Sequence, residues 1–390
     1  MLRRLPRGVI ILGFVSMLMD ISSEMIHGLL PVYLSVGLGA SMMTIGVIEG
    51  VAEATGAIVK IFSGVMSDYF RKRKFLVGIG YGMAALTKPI FPMAQSIDWI
   101  FGARFLDRIG KGIRGAPRDA LIADITPREL HGAAYGLRQS MDTVGAFVGP
   151  LLAITFMALG GDDFRLVFWI AVIPGFAAWA LVIFGVNEAR EPHADSAVPA
   201  RISWRELRHF NAAYWAAIGV AAALTLARFS EAFLILRAQQ LGLALTLAPL
   251  VLVVMNIVYS ASAYPAGRIS DGRNRLHLIA AGLIVLITGD LLMAFSNNLY
   301  VLTLGVVLWG LHMGLTQGLL SALVADTAPE HLRGTGFGLF NLITGIVMLA
   351  ASIIAGALWQ GYGANVTFAA GAVFAALSLF GLVWLGRGRP

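Results

Sequence analysis

Apolar residues run along this chain in blocks of about 20, separated by polar turns. The blocks fall at roughly 8–35, 41–67, 75–95, 98–122, 132–158, 165–187, 212–237, 244–268, 276–296, 299–324, 334–359 and 364–386. A helix rises 1.5 Å per residue, so about 20 residues cross a bilayer core. The pattern therefore predicts twelve membrane-spanning helices. Most turns between them are short, which makes consecutive spans antiparallel neighbours. The exception is Asn187 to His209, which holds Pro192, Pro199 and the amphipathic run Ile202-Ser203-Trp204-Arg205-Glu206-Leu207. A run of that kind is expected to lie on the membrane surface.

The pattern is written twice. Gly112 to Leu137 matches Gly314 to Leu339 at a shift of 202 residues, superimposing Asp124 on Asp326, Pro127 on Pro329 and Gly136 on Gly338. At a shift of 203, Gly64 and Ser67-Asp68 match Gly267 and Ser270-Asp271. Each copy contains six predicted spans, an even number, so both enter the membrane in the same sense and the repeat is parallel. The expected organisation is an N-terminal six-helix bundle over residues 1–187, a linker with a short amphipathic helix over 188–209, and a C-terminal six-helix bundle over 210–390.

Basic residues gather on one side. Arg3, Arg4, Arg7, Arg71, Lys72, Arg73, Lys74, Arg128, Arg190, Arg201, Arg205, Arg208, Arg273, Arg275, Arg333, Arg387 and Arg389 all fall there, whereas the opposite loops hold only Arg165. Positive loops stay inside, so both termini and the linker are expected in the cytoplasm. This makes the protein a multi-pass protein of the cytoplasmic, or inner, membrane. The charged N-terminal stretch is followed by an apolar run without a small-x-small cleavage site, which reads as a retained first helix.

Composition agrees with lipid as the solvent. The chain is 58% hydrophobic and 13% charged, with a mean hydropathy of +0.78, against about 25% charge in a soluble domain. Cysteine is absent, which removes disulfides, thiolate metal sites and cysteine nucleophiles. The net charge of +7 is accounted for by helix ends, so nucleic acid is not an expected partner. No Walker A, His-Glu-x-x-His or Gly-x-Ser-x-Gly pattern occurs. The chain is read as a non-enzyme with no cofactor and no bound metal, acting as a monomer.

Charge inside the spans is unevenly divided. Span one carries Asp20, Glu24 and His27 on one face. Span two carries Glu49, Glu53 and Lys60, and span three Lys88. Span four carries Arg104, Asp107, Arg108, Lys111, Arg114, Arg118 and Asp119, and span five Arg138 and Asp142. The C-terminal half holds Arg228, Glu231 and Arg237 in span seven and Asp290 in span nine. An ionised residue at the bilayer centre costs at least about 2.5–3.5 kcal/mol. Pairing inside one bundle offsets that cost but does not explain why one half is loaded. A carboxyl held away from water can load and unload a proton, so Asp20, Glu24 and Glu53 are the candidate proton carriers. Arg108 and Lys111 are candidates either to tune those carboxyls or to meet an anionic solute. Glu49, His27, Arg228 and Glu231 complete the candidate substrate contacts.

The motifs resemble those of the major facilitator superfamily. Gly64-Val65-Met66-Ser67-Asp68-Tyr69-Phe70-Arg71-Lys72-Arg73 is similar to that family's loop 2–3 signature, departing from it at Tyr69 and Arg71. A diluted second copy around Asp271 lies where the family keeps one. Arg104 to Gly112 resembles the span-four signature, with Arg108 in place of a glycine. Gly136, Gly145, Gly149 and Pro150 follow the span-five pattern of the antiporter branch, with Ala153 in place of its last glycine. The resemblance implies a twelve-helix all-α membrane fold of two pseudo-symmetric bundles. It implies a latch at Asp68 that operates when the cytoplasmic side closes, and a glycine-lined, kinked span five. Its functional implication is a secondary transporter for a small solute, proton-coupled and directed outward. Proton-coupled uptake of an anion or metal chelate, and a non-transporting sensor of the same fold, are the alternatives to be separated.

Overall fold

A computed structural model describes residues 5–70, 72–127, 130–187, 208–270, 275–329 and 332–387. Arg71, Asp271 and the amphipathic run of the linker lie outside the described residues. Within them the chain forms twelve membrane-length helical segments. Ten are long and apolar enough to cross a bilayer: Arg7–Gly37, Arg73–Met93, His131–Leu159, Phe164–Gly185, Ala212–Gln240, Leu245–Ser270, Leu276–Phe295, Leu299–Val324, Thr335–Tyr362 and Ala364–Val383. The other two, span two (Met42–Phe70) and span four (Ile97–Ile125), are each 29 residues long. Both have ample length, and both carry the densest runs of ionisable residues.

Side-chain caps start several spans. Asp163 accepts from the backbone N–H of Arg165 and Leu166 ahead of span six. Asn211 accepts from Tyr214 N–H at 2.8 Å ahead of span seven, and Asn298 from Val301 N–H at 3.0 Å ahead of span ten. These caps satisfy amide donors that have no partner inside the helix. Spans eleven and twelve are separated by Gly363 alone, at φ +88°, a backbone conformation that glycine adopts without strain.

Three spans are interrupted. Span one is helical over Arg7–His27, turns at Gly28 and Leu29, and resumes over Leu30–Val32 and a π-helical Tyr33–Gly37. Pro31 has no N–H to give His27, so the ladder fails just ahead of it. Span three stops at Thr87 before Lys88-Pro89 and resumes over Ile90–Met93, for the same reason. Span seven breaks without proline: after Ala212–Ala227, Arg228 is extended (φ −112°, ψ 99°), and helix returns at Ala232–Gln240. Spans one and seven open the two repeats. Interrupted helices at corresponding places in two halves are where transporters of this architecture build sites.

The chain packs as two compact units. One comprises residues 1–38 and 55–200, the other 39–54 and 201–390. The first part of span two thus packs with the C-terminal spans. Its glycines are the physical reason. A Cβ added to Gly46 would fall on the backbone carbonyl of Ser352, and one added to Gly50 would lie 3.0 Å from Leu349 Cδ1. Glu49, between them, is fully enclosed.

Close glycine contacts repeat with the sequence. In the first unit a Cβ on Gly112 of span four would stand 2.6 Å from Val59 Cβ of span two. In the second unit Gly314 of span ten meets Ser262 of span eight in the same way. The positions differ by 202 and 203 residues, the two shifts of the repeat. The approach of spans two and four is thus made from Gly112. At Gly64 a Cβ would lie 3.6 Å from Ala116 Cβ, an ordinary contact.

Candidate functional site

The candidate site is built on the seam between spans one and five. A Cβ on Gly145 would stand 2.6 Å from Met17 O and 2.9 Å from Asp20 Cβ. One on Gly149 would stand 2.9 Å from Ile21 O and 2.8 Å from Glu24 Cβ. The two motif glycines of span five therefore receive span one at the two turns that carry its carboxylates. Span five runs as one helix through Pro150, from His131 to Leu159, so its glycines act here by close packing rather than by interrupting the helix. Small residues at helix seams let backbones approach within lipid. Replacing Gly145 with Val is expected to destabilise the protein by about 1–3 kcal/mol or more, as overpacked cores do. A thermal melt within error of the native protein's would show that the seam is loose.

Asp20 forms no hydrogen bond or ion pair among the described residues. Asp142, Lys111, Arg114 and Glu24 act on it electrostatically. One turn further along span one, Glu24 Oε2 lies 3.6 Å from His27 Nδ1, and Lys111 and Arg108 also act on it. Asp142 of span five receives Arg138 Nη1 at 2.9 Å. Two acids and a histidine of span one, an acid of span five and three cations of span four thus share one region of the first unit. Lys111, midway along span four, is exposed, whereas Arg108 is 6% exposed and Arg104 4%. Glu53 and Glu49 belong to the segment that packs with the second unit.

Several charges of spans three to five are paired locally. Lys88 Nζ donates to Asp107 Oδ1 at 2.9 Å and to Ser23 Oγ at 3.0 Å. Arg118 Nη1 donates to Ser16 Oγ at 2.8 Å, and its Nε lies 3.3 Å from Asp119 Oδ1. Asp119 also lies 3.7 Å from Arg138 Nη1. Arg114 is buried with its guanidinium 4.7 Å above the Tyr81 ring, and its Nη1 has no hydrogen-bond partner. At the far end of span four, Asp124 pairs with Arg73 at 2.9 Å.

The second unit has its own polar region at the break of span seven. Arg228 and Glu231, both partly exposed, act electrostatically on Tyr259 of span eight. Tyr259 donates to Gln317 of span ten at 3.2 Å. His312, on the same span, is fully enclosed: its Nδ1 lies 2.9 Å from Gly282 O, and its Nε2 has no partner. Tyr259, Gln317 and His312 were not predicted as site residues, because each is a lone polar residue in an apolar span. Among the described residues, no three of His, Asp or Glu converge to hold a metal ion.

The Major Facilitator Superfamily model matches residues 12–352 and 232–390. Over 384 residues the chain is 33% identical to MJ1317, an MFS-type transporter of Methanocaldococcus jannaschii, covering 96% of this chain and 94% of that protein. A shorter match, 26% identical over 160 residues, is to the multidrug resistance protein MdtH of Yersinia pestis, covering 40% of this chain and 39% of that one. Among solved structures, the nucleoside transporter NupG superimposes with a TM-score of 0.79 at 13% identity, covering 98% of this chain and 99% of that one. An inward-facing, occupied bacterial homologue of the human lysosomal transporter Spinster gives 0.80 at 14% identity, over 98% and 96%. At such identities the likeness is one of fold.

Proposed function

The chain belongs to the major facilitator superfamily, a family of secondary transporters, and on that premise we propose that it couples proton movement to export of a small solute. The observation that carries the reading is Asp20: a carboxyl midway along an interrupted span, fixed by the Gly145 contact and joined by no hydrogen bond. A group so placed can take up or give up a proton without breaking the bundle. Lys111, Arg114, Asp142 and Glu24 all act on it electrostatically. Solute bound nearby shifts its proton balance, which is the thermodynamic content of coupling. The protein works by alternating access in the cytoplasmic membrane, as a monomer with both termini in the cytoplasm. The outward direction is supported by the Gly145-Gly149-Pro150 pattern and by the partial likeness to a multidrug resistance protein.

Two subsites accompany the proton group: Glu24, His27, Arg108 and Lys111 in the first unit, and Arg228 and Glu231 at the span-seven break in the second. Both carry both signs of charge, which suits a zwitterionic or amphipathic organic solute better than a simple ion. Flux of candidate solutes in proteoliposomes, with and without an imposed pH gradient, tests the reading. A protein that binds a solute yet moves none in either condition is a sensor, and the proposal falls.

Asp68 supplies a separate expectation. It sits in the last turn of span two, in the loop 2–3 signature. Asp68→Asn is expected to insert and melt like the native protein while slowing transport at least about tenfold, the effect of losing roughly 1.4 kcal/mol of gate stabilisation. Unchanged flux from a well-expressed Asp68→Asn protein removes the latch.

A further inference from the structure

Lys88 of span three and Asp290 of span nine are 202 residues apart and occupy the same place in the two repeats. Both are buried. Each is bonded by the following span, at positions that are again 202 residues apart. Lys88 Nζ donates to Asp107 Oδ1 at 2.9 Å, and Trp309 Nε1–H donates to Asp290 Oδ1 at 2.8 Å. Each also lies against a glycine of the sixth span of its repeat. A Cβ on Gly175 would stand 3.4 Å from Lys88 Cγ, and one on Gly371 would stand 2.7 Å from Asp290 Oδ2. The repeat has kept the site and changed its charge balance. In the first unit a cation meets an anion. In the second an indole supplies a hydrogen bond and no charge.

Asp290 is 0% exposed, and its Oδ2 has no hydrogen-bond partner. Span ten presents Trp309 to it, and span twelve Gly371. The interrupted part of span seven presents Phe229, whose ring edge lies 3.1 Å from where the Gly371 Cβ would be. The Phe229 ring lies 5.8 Å from Trp309 and 5.3 Å from Phe368. His312, one turn along from Trp309, places Nδ1 2.9 Å from Gly282 O, and Arg228, next to Phe229 in the chain, acts on this histidine electrostatically. Arg237 donates to Met293 O, Ser296 O and Gln240 Oε1. No charged side chain among the described residues acts on Asp290. A carboxylate enclosed by rings and backbone without a cation is the costly state. Taking up one proton removes that cost.

We infer that Asp290 is a proton-binding site of the C-terminal unit, additional to the carboxyls of span one. It holds a proton on Oδ2 while Phe229 covers it, and releases that proton to water when the unwound Arg228–Glu231 segment draws Phe229 away. One proton moves between Oδ2 and water. The Trp309 N–H remains on Oδ1 throughout and stabilises the carboxylate once it forms. The inference deepens the proton-coupled reading, and its test is independent of transport.

Infrared spectra of the purified full-length protein in nanodiscs at neutral pH decide it, using the native chain, Asp290→Asn, Trp309→Phe and Phe229→Ala. The native spectrum should contain the carbonyl stretch of a protonated carboxylic acid amounting to one group per chain. Asp290→Asn should remove it. Trp309→Phe should move it to higher frequency, because the bond to Oδ1 is lost. Phe229→Ala should make it vary with buffer pH. If Asp290→Asn removes only carboxylate absorption, Asp290 is ionised and the inference is wrong. A band indifferent to both Asp290→Asn and Trp309→Phe overturns it equally, and the second variant keeps the test valid should the first fail to fold. A Phe229→Ala band as insensitive to pH as the native one removes the cover. Flux keeps this separate from the reading above: solute movement that ignores an imposed pH gradient sinks that reading and leaves the infrared result standing.

Discussion

Lys88→Met is expected to destabilise the protein by about 3–5 kcal/mol, the cost of leaving a buried ion without its partner. Lys88 and Asp107 side chains are 2% and 7% exposed and 2.9 Å apart. Lys88 lies where span three turns ahead of Pro89, so it secures an interrupted segment as well as a charge. Once Lys88 is gone, buried Asp107 loses the cation bonded to it, and staying ionised or taking up a proton both cost stability. The double variant Lys88→Met with Asp107→Leu is expected to recover most of the loss, since apolar replacement of a buried pair is often neutral or stabilising. Thermal melts in detergent compare the three proteins. If Lys88→Met melts within about 0.5 kcal/mol of native, as an ordinary surface change does, or if the double variant shows no recovery, the pair does not hold the bundle as described.

Asp20→Asn is expected to have the opposite profile, with stability near native and coupling lost. Asp20 forms no hydrogen bond or ion pair among the described residues, and the Gly145 Cβ position lies 2.9 Å from its Cβ. In proteoliposomes, each proton moved through a gradient of one pH unit is worth about 1.4 kcal/mol, roughly a tenfold concentration ratio. That ratio is expected to fall to about one in the variant, while downhill exchange of solute continues. Native accumulation by Asp20→Asn would transfer the coupling role to Glu24, Glu53 or Asp290, each of which can be tested in the same assay.

The fold was legible because lipid imposes a single length scale on apolar runs. Spans two and four were legible as apolar blocks of spanning length although they carry the densest runs of ionisable residues. The acidic face of span one was legible too, because Asp20, Glu24 and His27 follow helical spacing. Their neighbours were not. That Gly145 and Gly149 receive span one at those acids depends on the register between two helices, and periodicity within one helix does not specify that. The break in span seven lacks the proline that marks the breaks in spans one and three, so its sequence reads as continuous helix. Asp290 could be singled out as a lone buried acid. Its counterpart Lys88 was equally visible, but their equivalence emerges only when the 202-residue shift is carried beyond the obvious matches to positions where the residues differ.

The placement of the first part of span two has a consequence for how the protein is made. Gly46 is emplaced early in synthesis, but the backbone it packs against, at Ser352, follows 306 residues later. At about 5–20 residues per second, that is a wait of roughly 15–60 s. During that interval the half-helix lacks the span-eleven backbone on which Gly46 and Gly50 pack. A ribosome stalled just short of span eleven therefore leaves a chain nearly complete in length that still exposes this glycine seam, a mark by which membrane quality control tells an unfinished copy from a finished one.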